Sequence, residues 1–190
     1  VVLLLTAPDP GLLLPTILSR VQQVPMHLLT SLQIKTALEQ QWEVETEEAT
    51  LIAALAAGRM GWAVQAVEDD QLLVERKAQL EALAKLPMVS KVQRFEIAQR
   101  ISSDSAKARS VLELWLFWWR DMVLAANKCL DLTVNVDMRN ILKQQASRVG
   151  TVEAERMVRA ILSTMEALDQ NVNARSALEV LMLDLPAIKS

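Results

Sequence analysis

Residues 103–130 read SDSAKARSVLELWLFWWRDMVLAANKCL, and this stretch decides the class of the fold. Ala108, Val111, Leu112, Trp115, Trp119, Met122, Val123 and Ala126 recur at the i, i+3, i+4 spacing of one helical face, while Arg109, Glu113, Arg120 and Lys128 fall off it. Ser103 or Asp104 offers an oxygen to cap the first turn. The spacing predicts a helix running to about Leu130 with a wide apolar face. Its most apolar portion, 111–126, contains Glu113, Arg120 and Asp121 and cannot span a bilayer.

Helical signals continue on both sides. Downstream, 137–149 ends at Gly150, Thr151 opens a helix to about Gln170, and Asn173 opens a last one stopped by Pro186. Upstream, 72–86 stops at Pro87, and Ser90-Lys91-Val92-Gln93 is a capping box opening a helix to Ile101. Three shorter helices precede these: from Leu28 to about Gln41, from a Thr46 cap to Gly58, and from Gly61 to Val67. The start differs. Residues 1–5, Val-Val-Leu-Leu-Leu, form an unbroken apolar run ended by Thr6-Ala7-Pro8-Asp9-Pro10-Gly11, which predicts a strand buried on both faces. A lone strand needs neighbours, so a sheet is expected upstream of Val1. Residues 12–20 read as a short helix and 21–25 as a short strand or extended linker.

Composition agrees with stacked helices. Of 190 residues 52% are hydrophobic and 23% charged, with only four Gly and six Pro, which excludes disorder and an all-β fold. One cysteine, Cys129, and one histidine, His27, cannot make a disulfide, a four-ligand zinc site or a redundant Cys/His nucleophile arrangement. A net charge of −3 gives no chain-wide pull toward nucleic acid. The free cysteine and the lack of a basic leader lead to an expectation of a cytoplasmic protein.

Three motifs carry a resemblance. Leu3-Leu4-Leu5-Thr6-Ala7-Pro8-Asp9-Pro10 followed by Leu14-Pro15-Thr16-Ile17-Leu18-Ser19-Arg20-Val21-Gln22 resembles the last part of the AAA+ module of bacterial clamp-loader subunits, with Val21 standing where that family has the cysteine of Ser-Arg-Cys. Ala54-Leu55-Ala56-Ala57-Gly58-Arg59-Met60-Gly61-Trp62-Ala63 resembles the family's lid turn. Leu168, Asn171, Asn173, Arg175, Leu178, Glu179 and Leu181 resemble its collar-helix signature. The resemblance covers nearly the whole chain. It implies a mainly all-α protein made of the end of an AAA+ module with its residual strand (1–25), a three-helix lid (26–69) and a helical collar for oligomerisation (70–190).

The resemblance also implies roles for single residues. Gly61 aligns with the lid arginine that reaches the nucleotide phosphates in ATP-hydrolysing subunits, and it offers neither charge nor a side-chain donor. Arg59, two residues earlier, is rotated by about 200° on a helix and faces elsewhere. Ala7 or Pro8 stands where a nucleotide-sensing polar residue would lie. A subunit that does not hydrolyse its own ATP is therefore expected, binding no cofactor itself. Arg20 matches the arginine that reaches ATP and magnesium on a neighbouring subunit and stabilises γ-phosphate charge in trans. The implied partners are the gamma/tau-type and delta-type subunits, the sliding clamp and primed DNA, within the DNA polymerase III holoenzyme, a nucleotidyltransferase. Two alternatives stand beside this reading: an ATP-hydrolysing subunit of the same machine, and a helical adaptor with no nucleotide connection.

The other polar and aromatic candidates have plainer readings. His27 lacks a ligand pattern, and Cys129 reads as a small hydrophobe. Trp115 and Trp119 match the core period and are expected in the core or at a subunit interface rather than stacked on bases, with Trp118 undecided. Glu43, Glu45, Glu47 and Glu48 read as a charged loop and helix start. Asn171, Asn173 and Arg175 read as caps and bridges at helix ends, and the resemblance places them in the collar interface.

Overall fold

The computed structural model describes residues 2–7, 10–170 and 172–186. They are mostly helical, with no strand among them, and belong to the all-α class. The helices are α1 (Pro15–Leu18), α2 (Ser31–Gln41), α3 (Thr46–Leu55), α4 (Met60–Glu68), α5 (Asp70–Lys85), α6 (Lys91–Ile101), α7 (Ser105–Ala126), α8 (Arg139–Val149), α9 (Thr151–Asp169) and α10 (Ala174–Asp184), with 3-10 turns at Pro10–Leu12, Leu86–Met88, Leu130–Leu132 and Val136–Met138.

Local chemistry sets most boundaries. Asp104 Oδ1 accepts from the amides of Ala106 at 2.9 Å and Lys107 at 3.2 Å, so α7 starts where its cap is. Ser90 and Gln93 form the reciprocal capping box of α6. Thr30 and Gln33 form another before α2, which moves the onset from the expected Leu28 to Ser31. Thr46 is the first residue of α3 rather than its cap, and its carbonyl accepts the Thr50 hydroxyl at 2.6 Å. Asn173 Oδ1 takes the Ser176 amide at 3.0 Å and opens α10. The largest shortenings are at α7, which stops at Ala126, and at the region 12–20, of which only Pro15–Leu18 is α-helical.

The expected strand is corrected. Val1 lies outside the described residues; residues 2–5 form no strand, and Val2, Leu3 and Leu4 are at least 80% exposed. A strand is defined by the ladder it shares, and the described residues supply no partner. Residues 21–25 are likewise exposed and form no ladder.

Buried apolar residues fall into two clusters. The smaller joins α2, α3 and α4 through Ile34, Leu38, Ala49, Ile52, Ala53, Ala56, Ala63 and Ala66, alanine predominating because it lets short helices approach closely. The larger is built around α7, which packs on α9, α8, α5 and α6 and contributes Val111, Leu112, Trp115, Trp118, Trp119 and Met122. No helix among the described residues is long and apolar enough to cross a membrane.

Candidate functional site

Pro15 fixes the first turn of α1, where its missing amide proton costs nothing. The chain then turns, with the Ser19 amide bonded to the Pro15 carbonyl at 3.0 Å and the Arg20 amide to that of Ile17 at 2.9 Å. Ser19 Oγ donates to the Thr16 carbonyl at 3.2 Å, and Arg20 Nη1 donates to the same oxygen at 2.7 Å. Arg20 is exposed and makes no ion pair with a described carboxylate. One edge of its guanidinium is thus anchored to the helical turn that carries it. The remaining donors face solvent in the planar arrangement that suits a phosphate or carboxylate.

The turn between α3 and α4 separates two glycines by function. Gly58 has φ +87°, and a Cβ there would lie 2.8 Å from Leu28 Cβ and 3.0 Å from the Leu29 carbonyl oxygen. The Leu29 amide donates to the Gly58 carbonyl at 3.0 Å, so this glycine clasps the segment leading into α2. Gly61 sits in the first turn of α4 with open space around a Cβ. Packing does not require glycine there. Gly58→Ala should cost about 1–3 kcal/mol through strain and displacement of the Leu28 segment. Gly61→Ala should stabilise by about 0.5–1 kcal/mol by raising helix propensity. Urea midpoints of the two variants should move in opposite directions.

Arg59 turns toward the large cluster. Its Nε donates to the Ala56 carbonyl at 3.0 Å, and its guanidinium carbon lies 5.0 Å from the Phe117 ring centre and 6.0 Å from that of Trp62. Burial lowers its pKa and the charge of Glu113 opposes the shift. Arg59 therefore pins the turn after α3 to α7, with its charge held between two aromatic rings.

The tryptophans are internal. Trp115, Trp118 and Trp119 are 3%, 1% and 2% exposed, so all three are core residues, which for Trp115 and Trp119 is one of the two expected placements. Trp119 Nε1 is buried without a hydrogen-bond partner among the described residues. Asn173 caps α10, and Arg175 Nε donates to Glu179 at 2.8 Å one turn away, while Leu178 and Leu181 supply the buried face of that helix. Asn171 and Pro8 lie outside the described residues. His27 and the four glutamates Glu43, Glu45, Glu47 and Glu48 are exposed. Cys129 is half-buried beside the Asn127 carbonyl. No bond links Arg20, Gly61 and Arg175 to one another among the described residues, and none of their His, Cys, Asp and Glu side chains cluster to hold a metal ion.

Two polar networks escape sequence reasoning. Asp121 is fully buried and accepts from the Asn135 amide at 2.7 Å, from Asn135 Nδ2 at 2.8 Å and from Arg120 Nη1 at 3.1 Å. Asn135 in turn accepts from Arg76, which also pairs with Asp137 at 3.0 Å. Burial lowers the Arg76 pKa, with Asp137 acting against it. This chain of bonds ties α5 to α7 and to the turn before α8. The second network is Arg94, buried in α6, whose guanidinium donates to the carbonyls of Leu86, Pro87, Met182 and Leu185 at 3.1 to 3.2 Å. Asp121 between Trp119 and Met122 is the signal the sequence held, since a carboxylate on so apolar a helix needs partners.

Two open depressions mark the large cluster. One, of about 270 Å³, lies between α7 and α9 and is lined by Arg120, Val123, Leu124, Glu155, Val158 and Arg159. The other, of about 410 Å³, lies where α7 begins and α9 ends, beside the Arg109–Asp169 ion pair. Compared with models of known protein families, with curated proteins and with solved structures, the chain finds no match.

Proposed function

We propose that the chain is a non-hydrolysing clamp-loader subunit of the delta-prime type. In this reading it contributes to a ring that loads the sliding clamp onto primed DNA, and it supplies Arg20 in trans to a neighbour's ATP. The observation that carries the reading is Arg20 itself: an exposed guanidinium, anchored by one edge to Thr16 on a proline-started turn, unpaired with any described carboxylate, within Pro15-Thr16-Ile17-Leu18-Ser19-Arg20. Gly61 adds support, because its surroundings would accept a side chain and the sequence supplies none. Arg59 is engaged with Phe117 and Trp62 and is not available as a substitute.

The test is single-turnover ATP hydrolysis and clamp loading by a ring reconstituted with gamma-type and delta-type subunits. Arg20→Ala should leave folding within about 0.5 kcal/mol of the parent, since the residue is exposed. Hydrolysis at the adjoining site should fall by about a hundredfold or more, the magnitude of losing an arginine finger. Arg20→Lys should rescue poorly, because an ammonium does not reproduce the planar fork. Normal hydrolysis and loading in an intact ring would remove the trans role. A helical adaptor without nucleotide chemistry is the second reading, favoured by the lack of any strand among the described residues.

A further inference from the structure

The charge of this chain is divided between its two clusters. Residues 31–75 hold nine carboxylates against Lys35 and Arg59, whereas residues 76–190 hold seventeen Lys and Arg against thirteen Asp and Glu. On the acidic side Glu43, Glu45, Glu47, Glu48, Glu68 and Asp70 are exposed, and no ion pair engages them among the described residues. Arg59 is turned inward, and Lys35 is spent on Glu39 at 3.8 Å. The first turn of α3 thus carries uncompensated negative charge, and it carries an apolar group with it. Leu51 lies one turn beyond Glu47 and Glu48, at i+4 and i+3, and stays 36% exposed while Ala49, Ile52 and Ala53 fill the core behind it.

The groove between α7 and α9 has the opposite character. Its floor is Val123, Leu124 and Val158, and its rim carries the guanidinium groups of Arg120 and Arg159, 47% and 70% exposed. Arg120 Nη1 is bonded to the buried Asp121 at 3.1 Å, and Arg159 lies 3.9 Å from Glu155 on the same rim in a loose surface pair, so both exposed guanidinium groups keep further donors for a docked carboxylate. A volume of about 270 Å³ sits just under the ordinary range for small-molecule pockets and fits a protruding aliphatic side chain better than a cofactor.

We infer that this groove docks the Glu47-Glu48-Leu51 face of α3 from a second copy of the chain, with Leu51 on the valine and leucine floor and the two carboxylates against Arg120 and Arg159. The match is of sign: one exposed leucine with two acids a turn before it meets an apolar trough whose rim carries two arginines and one glutamate. Because donor and acceptor faces are different surfaces, the contact is head-to-tail and extends to further copies or closes into a ring. It is electrostatically steered and therefore salt-sensitive, since a Debye length of about 14 Å at 50 mM shrinks to about 4 Å at 500 mM. The inference stands on charge and shape at these two faces and does not depend on the clamp-loader reading.

The experiment is sedimentation velocity of the whole chain across a concentration series at about 50 mM and about 500 mM salt. The parent should gain mass with concentration at low salt and lose that gain at high salt. Arg159→Glu, or Glu47→Lys with Glu48→Lys, should each raise the dissociation constant at least tenfold; all three positions are exposed, and circular dichroism checks that the fold is kept. Mixing the Arg159→Glu chain with the Glu47→Lys/Glu48→Lys chain should restore association, because the unaltered acidic face of the first chain meets the unaltered groove of the second. Leu51→Ser should weaken association without altering its salt slope. A parent that stays monomeric at both salts, association untouched by either reversal, or reversed chains that fail to pair with each other would each overturn the inference.

Discussion

Placing an aspartate at Trp119 should abolish folding. The indole is 2% exposed on the central face of α7, and losing its packing alone costs about 3–5 kcal/mol. The carboxylate that replaces it has no cation beside it and adds about 3 kcal/mol or more as an unpaired buried charge. Together these approach the whole stability of an ordinary domain, about 5–15 kcal/mol. Trp119→Phe is the informative companion. It shrinks the side chain, but it also removes Nε1, a buried donor with no partner, so its cost should stay below about 2 kcal/mol. Urea unfolding followed by circular dichroism separates the two. An aspartate variant as stable as the parent would mean that this face of α7 is open in solution.

Arg94→Leu should destabilise by about 3–5 kcal/mol, close to the loss from breaking a buried charged network. Leucine fills part of the volume but removes the arginine's donors from four carbonyl oxygens, those of Leu86, Pro87, Met182 and Leu185, of which Leu86 keeps only the Val89 amide at 3.3 Å. Arg94→Lys should recover only part of the loss, since one ammonium cannot reach carbonyls on both sides of a guanidinium plane. The damage should be concentrated at the junction of α6 with α10. Hydrogen exchange should therefore speed first in α10, whose C-terminal carbonyls the arginine holds. Uniform loss of protection, with α10 no faster than α8, would count against the local role.

The sequence by itself determined the helices and where most of them begin. Capping is chemistry between residues two or three positions apart, so Ser90 with Gln93, Asp104 with Ala106 and Asn173 with Ser176 are readable without a fold. The apolar face of α7 was readable for the same reason: its period is a property of one helix. Arg20 could be singled out only through a run of neighbours in the chain, and its exposure on the turn after α1 came with the coordinates.

What only the tertiary structure decided has a partner far along the chain. Residues 2–5 have strand composition, yet a strand exists only when a second one lies beside it, and the described residues provide none. Trp118, three residues after Trp115 and four before Met122, lies at the edge of the apolar stripe of α7, and it is buried because α7 is surrounded by several helices, a property of the bundle and not of the helix. Arg94 joins α6 to carbonyls 88 and 91 positions away, and Arg76 reaches Asn135 and Asp137 across 59 and 61. Nothing local marks such pairs, because a guanidinium on a helix reads the same whether its face meets water or the carbonyl ends of another helix. Burial makes the difference, and burial is fixed only when all the helices have found their neighbours.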